Sequence, residues 1–193
     1  ITSRVCVTAQ HRDMLDQVLR IYGIQPDHDL DVMHANQSPP QVAAAVLTRL
    51  EPILLHERPD WVLVQGDTTT VAAAALGAFY ARVSVGHVEA GLRSFDRNMP
   101  EEINRCVIGV LADLHCAPTE RAVANLTPEG VPASRIVLTG NTIVEATLDM
   151  LPDEAGARAI AADAGAEPGQ YVLATIHRPE NTDDPQRLRT ILD

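Results

Sequence analysis

Short β-branched runs alternate with longer Ala- and Leu-rich segments along the chain, and this alternation restricts the fold more than any other feature. SRVCVTA is followed by HRDMLDQVLRIYG, WVLVQ by TTTVAAAALGAFYA, VSVGHVE by PEEINRCVIGVLADL, and LHCAP by TERAVANL. Continuously apolar strands separated by helix-length segments predict a parallel sheet covered on both faces, because a crossover between parallel strands must carry a helix. The expected class is α/β. Punctuation agrees: Gly23 and Pro26 close the first helix, Pro39 and Pro40 open the next, and Pro59 precedes the strand that begins near Trp61.

The pattern changes after IVLTGN. A helix is expected from about Thr142 to Leu151, then the acidic segment PDEAGARAIAADAGAEPGQ, then a fresh strand, YVLATI, from Tyr171. This divides the chain into 1–140, an α/β domain, and 141–193, the opening of a second. The chain starts on ITSRVCVTAQ without a methionine and stops on RLRTILD inside a helical pattern, so truncation at both ends is expected.

A net charge of -11, with 15 scattered basic residues, argues against a broad nucleic-acid surface, since neutralising phosphates needs clustered Lys and Arg. The most apolar segment, VAAAALGAFYARVSV, is interrupted by Arg82 and falls short of the roughly 20 residues of a membrane helix, so no membrane span is expected. Cys6, Cys106 and Cys116 form no C-x-x-C pair and are expected as buried free thiols, which fits a reducing cytoplasm.

Ligands of open parallel sheets bind outside the carboxyl ends of the strands, so the residues just after each apolar run carry the functional information. They are GDTTT after WVLVQ, GHVEAGLRS after VSV, TGNT after IVL, and IHRPEN after YVLAT. In GDTTT, Asp67 or Thr68 can cap a helix and leave backbone N–H groups facing an anion, or be an ordinary cap and nothing more. Glu101 and Glu102 follow Pro100 in a first helical turn, where acids are stabilised by about 0.3–1 kcal/mol, and helix geometry lets one of the two at most point squarely into a cleft. His177 and Arg178 set a titratable imidazole beside a permanent cation. His87 and Glu89 form an H-x-E, but the P-C-x-x-C of zinc deaminases is absent, and no H-E-x-x-H occurs among the seven histidines, so no metal is required. G-x-x-x-x-G-K-[ST], G-x-G-x-x-G and G-x-S-x-G are also missing.

Taken in order and spacing, TAQHRDMLDQVL, VQGDTTT, GHVEAGLRS, PEEINR, ADLHCAPTE, TGNT and TIHRPEN resemble the non-hydrolysing UDP-N-acetylglucosamine 2-epimerases, from Ser3 to Asn181. The resemblance implies a glycosyltransferase-B type fold of two Rossmann-like domains, a homodimer, UDP-N-acetylglucosamine (UDP-GlcNAc) in the cleft, and no cofactor. It implies that the first strand, the G-T-R-P-E-x-x-K loop and most of the UDP-binding domain lie outside this chain.

Carried over by motif, the family's catalytic residues fall on Asp67, Glu89, Glu101 and His177, and substrate contacts on Arg105, Arg178, Glu180 and Asn181. Glu102 is left as a plain helix-start acid. Some bacterial members bind a second UDP-GlcNAc as activator through the TAQHR segment. Gln10 and His11 match it, whereas Asp13 replaces a glutamine and Asn36 an arginine. The implied reaction is interconversion of UDP-GlcNAc and UDP-N-acetylmannosamine (UDP-ManNAc) through 2-acetamidoglucal, for precursors of cell-surface polysaccharide. The alternatives are a hydrolysing relative releasing free ManNAc, another transferase of the same fold, and an inactive UDP-sugar-binding paralogue.

Overall fold

The computed structural model describes residues 1–9, 12–34, 37–176 and 179–193. Its contacts fall into two units, Ile1–Val144 and Glu145–Asp193.

The first unit is built on the expected alternation. Strands β1 (Cys6–Val7) and β2 (His28–Asp29), joined by helix α1 (Arg12–Ile21), form a short parallel pair. After helix α2 (Pro39–Glu57), strands β3 (Trp61–Gln65), β4 (Ser84–Val88), β5 (Leu114–Ala117) and β6 (Ile136–Leu138) lie side by side in chain order, all parallel. The crossovers carry α3 (Thr69–Tyr80), α4 (Pro100–Leu111) and α5 (Glu120–Leu126), as parallel pairing demands.

α2 packs on α3 and α3 on α4. Alanines at 73, 75 and 78 let α3 approach the α2 stripe of Val42, Val46, Leu50 and Leu54 closely, and Leu30, Val32, Val64, Val85 and Ile108 complete that core. A smaller cluster of Ala90, Ala117, Ala122 and Leu126 seats α5. It depends on Gly91, where a Cβ would stand 2.3 Å from the Ala122 carbonyl oxygen and the backbone has φ +83°.

The second unit starts within α6 (Thr142–Met150), a few residues past the Gly140 crossing read from sequence, and continues with α7 (Glu154–Asp163), α8 (Pro179–Thr182) and α9 (Pro185–Leu192). Asp153 caps α7 by accepting from Gly156 N at 2.8 Å, and Asp184 caps α9 by accepting from Gln186 N at 2.9 Å. No helix among the described residues is long and apolar enough to cross a membrane.

Three local expectations are corrected. Residues 171–176, read as a strand, are in no strand: an apolar run becomes one only by pairing, and 145–193 offers no strand partner among its described residues. The cysteines are free thiols but not buried ones. Cys6 lies on the short outer pair and Cys106 on the outer side of α4, both exposed, and Cys116 is half-buried. His87, part of the run VSVGHVE but also counted among the strand-mouth residues after VSV, sits inside β4 opposite His115 of β5, and both imidazoles are buried.

Candidate functional site

The polar groups of the first unit gather at the carboxyl ends of β3 and β4 and the N-terminus of α4. Gly66 N donates to Val88 O at 3.2 Å, which fixes the two strand ends side by side, so that Asp67 and Glu89 leave adjacent strands at one level. A Cβ on Gly66 would lie 4.0 Å from Glu89 Oε2, which puts that carboxylate directly over the β3 turn.

Glu89 holds φ +70° in the left-handed region. For a residue other than glycine this costs about 1–2 kcal/mol. Such strain persists where surrounding bonds over-determine it, and it clusters at functional positions. Here Ala90 N donates to Cys116 O at 3.1 Å immediately downstream, and Gly91 must enter α5's close packing, so the turn cannot relax.

Asp67 is gripped by α4. Arg105 Nε donates to Asp67 Oδ2 at 2.9 Å, Arg105 Nη2 forms an ion pair with the same oxygen at 2.7 Å, and Asn104 Nδ2 donates to the Asp67 backbone carbonyl at 2.8 Å. Asp67 therefore does not cap α3. The N-cap is Thr68, whose hydroxyl instead meets that of Thr70 at 2.8 Å.

The neighbouring acids of α4 take opposite environments. Pro100 is the first helical residue and Met99 the N-cap. Glu101 lies seven residues before buried Ile108, on the same stripe of the helix, yet it is exposed. Glu102 is buried. Its Oε2 accepts from Ser94 N at 2.9 Å and from Arg105 Nη1 at 2.7 Å, and its Oε1 from Phe95 N at 3.1 Å. A glutamate at this helix position commonly reaches back to the N-cap N–H. That N–H is occupied by Asp96 O at 3.1 Å, so the side chain turns to the preceding loop instead. Burial alone would raise its pKa, but the Ser94 and Phe95 amides, Arg105 and the Ser94 hydroxyl outweigh it and hold the carboxyl below its ordinary range.

One reading of PEEINR changes accordingly: Glu102, read as a plain helix-start acid, is the buried centre of a network. Arg105, expected as a substrate contact, donates from Nε to Asp67 and from Nη1 to Glu102, with Nη2 2.7 Å from Asp67 Oδ2, which makes it the link between the two acids. The reading missed Glu102's part because neighbouring residues on a helix point about 100° apart and only the position of the 94–95 loop decides which one is covered. Its spacing of three from Arg105 was the available signal.

Beneath this layer, His87 Nε2 donates to Gly66 O at 2.9 Å, while His87 Nδ1 and His115 Nδ1 are buried without a hydrogen-bond partner among the described residues. Burial chiefly pushes both pKa values down; the Gly66 carbonyl opposes it for His87 and the Ala112 backbone for His115. Arg93, from GLRS, is almost wholly buried and pairs with Glu129 through Nε at 2.7 Å and Nη2 at 2.6 Å, a link that holds the loop after β4 to the end of α5.

Gln10, His11 and Asn36, and His177 and Arg178, fall outside the described residues. Glu180 belongs to α8, its side chain outside the description, and Asn181 is half-buried on the same helix. Among the described residues no group of three or more His, Cys, Asp or Glu is placed to hold a metal ion.

A parallel α/β sheet whose carboxylates collect at its strand mouths, one strained and one clamped by arginine, puts the chain in the open-sheet class, in which ligands bind outside the carboxyl ends of the strands. The comparisons narrow this. The family model described as UDP-N-acetylglucosamine 2-epimerase matches residues 1–193, and the chain belongs to that family. It is 54% identical over 146 residues to the UDP-N-acetylglucosamine 2-epimerase of Yersinia pestis, covering 75% of this chain and 39% of that protein. It is 52% identical over 148 residues to the Escherichia coli K12 enzyme of the same name, covering 76% of this chain and 39% of the relative.

Among solved structures, the Neisseria meningitidis UDP-GlcNAc 2-epimerase bound to UDP-GlcNAc aligns with TM-score 0.76 at 42% identity, over 86% of this chain and 46% of that one. The Methanocaldococcus jannaschii UDP-GlcNAc 2-epimerase in complex with UDP-GlcNAc and UDP aligns with TM-score 0.81 at 39% identity, over 96% and 51%. The chain thus spans roughly half the length of the relatives it matches, or less.

Proposed function

We propose that the full-length protein catalyses reversible C2 epimerisation of UDP-GlcNAc to UDP-ManNAc by elimination and re-addition of UDP. The observation that carries this reading is the pair of carboxylates on adjacent strand ends, Glu89 in a strained left-handed turn over Gly66 and Asp67 clamped by Arg105. Family membership supplies the substrate class.

The proton on C2 is only weakly acidified by the neighbouring acetamide, so its removal needs a positioned base. In the proposed elimination a carboxylate takes that proton, the electron pair forms the C1–C2 double bond, and the C1–O bond breaks to release UDP and 2-acetamidoglucal. Re-addition of UDP to C1, with a proton delivered to the opposite face of C2, gives the epimer. Two faces need two acids. Asp67 or Glu101 is assigned to C2 proton transfer and Glu89 to positioning or the second transfer. Protonated His177, supported by Arg178, Glu180 and Asn181, is assigned to the charge growing on the leaving phosphate. Gln10 and His11 are assigned to an activator contact. A cytoplasmic homodimer is the proposed working form, supplying precursors of cell-surface polysaccharide.

Incubating full-length protein with UDP-GlcNAc in heavy water and reading C2 by NMR tests the reading. Deuterium at C2 together with UDP-ManNAc is the expected result. Irreversible release of free ManNAc would instead make the protein a hydrolysing epimerase, and binding without exchange would make it a sugar-nucleotide binder.

A further inference from the structure

We infer that Glu102 is a positioning residue for the reaction, acting through Arg105 on Asp67; the inference rests on the epimerase reading above. One carboxylate, almost fully buried, makes three kinds of contact at once. It receives the amides of Ser94 and Phe95 at 2.9 and 3.1 Å, the Ser94 hydroxyl at 3.2 Å, and Arg105 Nη1 at 2.7 Å. Phe95 is itself held at φ +61°, a conformation that the bond from its N–H to Glu102 helps to fix.

Arg105 stands between two acids and cannot orient itself. Its Nε donates to Asp67 Oδ2 and its Nη2 lies 2.7 Å from the same oxygen, while among the described residues its remaining terminal nitrogen is anchored by Glu102 alone, three residues earlier on the same helix. A guanidinium is planar, so fixing Nη1 fixes the plane in which Nε and Nη2 meet the aspartate. Both of those nitrogens meet Oδ2, one by a hydrogen bond and one by an ion-pair contact, which leaves Oδ1 as the oxygen Arg105 does not engage and the one we assign to proton transfer. Glu102 therefore sets the orientation of a carboxylate it never touches. It also ties the loop between β4 and α4 to the same guanidinium, so that the Glu89 side and the Asp67 side of the cleft share one anchor.

The test uses Glu102→Gln in the full-length protein, which keeps the shape and removes the charge and two of the acceptor lone pairs. Exchange of solvent deuterium into C2 of UDP-GlcNAc at saturating substrate should fall about 10- to 100-fold, with KM changed by less than about threefold. In the same variant the Arg105 Nε–H NMR signal should broaden and exchange faster with water. A residue that only secures the loop would lower thermal stability without moving either signal. Wild-type-like exchange in the variant, or slowed exchange with an unaltered Arg105 signal, overturns the inference and leaves the epimerase reading standing. Absence of exchange in the wild type overturns both. If Glu102→Gln does not fold, Arg105→Lys keeps the cation but cannot bridge two acids in one plane. It should show the same kcat loss at near-constant KM, and wild-type kcat there also overturns the inference.

Discussion

Glu89 combines backbone strain with a proposed part in the chemistry, which gives a separable prediction at the level of one residue. Glu89→Gly and Glu89→Ala should both abolish C2 exchange. Yet the glycine variant should be more stable than the alanine variant by about 1–2 kcal/mol in urea unfolding, because only glycine occupies φ +70° freely. Gly91 is the reverse case. Gly91→Ala places a methyl 2.3 Å from the Ala122 carbonyl oxygen and should cost at least about 2 kcal/mol on the same measurement. Neither conformation was legible in HVEAG: glutamate gives no sign of a left-handed backbone, and a single glycine does not disclose which neighbour its missing side chain makes room for. The sequence located both at a strand mouth, and the packing of α5 determined what the turn had to do.

At the scale of the element, α4 reads as a single device. Pro100 starts it, Glu101 is exposed, Glu102 and Arg105 form the inward pair, and Asn104 secures the Asp67 backbone. Breaking the device at its centre should be costly: Arg105→Ala strands the Glu102 carboxylate, whose side chain is 4% exposed, beside Asp67. About 3 kcal/mol is expected from denaturant titration, the low end for a broken buried pair because Asp67 keeps some contact with water. The helix and its start were legible because Pro100 and the apolar period are local signals. Which of two adjacent glutamates would be buried was not, since that depends on where residues 94–95 return. The 171–176 run shows the same division. Its β-branched composition was visible, but the pairing that makes a strand depends on neighbours that composition does not specify.

Across the whole molecule, the α/β class followed from alternation alone, since parallel strands have few ways to be connected. The buried cross-strand pair His87 and His115 adds a pH dependence that the sequence did not foretell. Both have folded-state pKa values below the ordinary value of about 6.5, so as pH falls the unfolded chain takes up protons first. Their contribution is intact above about pH 6.5 and is lost below it, at up to about 1.4 kcal/mol per pH unit for each histidine. Scanning calorimetry should show the melting midpoint falling from that point, before Glu102, whose pKa is depressed, begins to protonate at lower pH. The unpaired 171–176 run has a practical consequence. YVLATI carries no charge, no proline and no glycine, and Val172 and Leu173 are 92% and 83% exposed. Such a segment offers other copies a template for cross-β stacking. This chain prepared by itself should form thioflavin-positive aggregates as its concentration rises, and Val172→Lys should delay their onset.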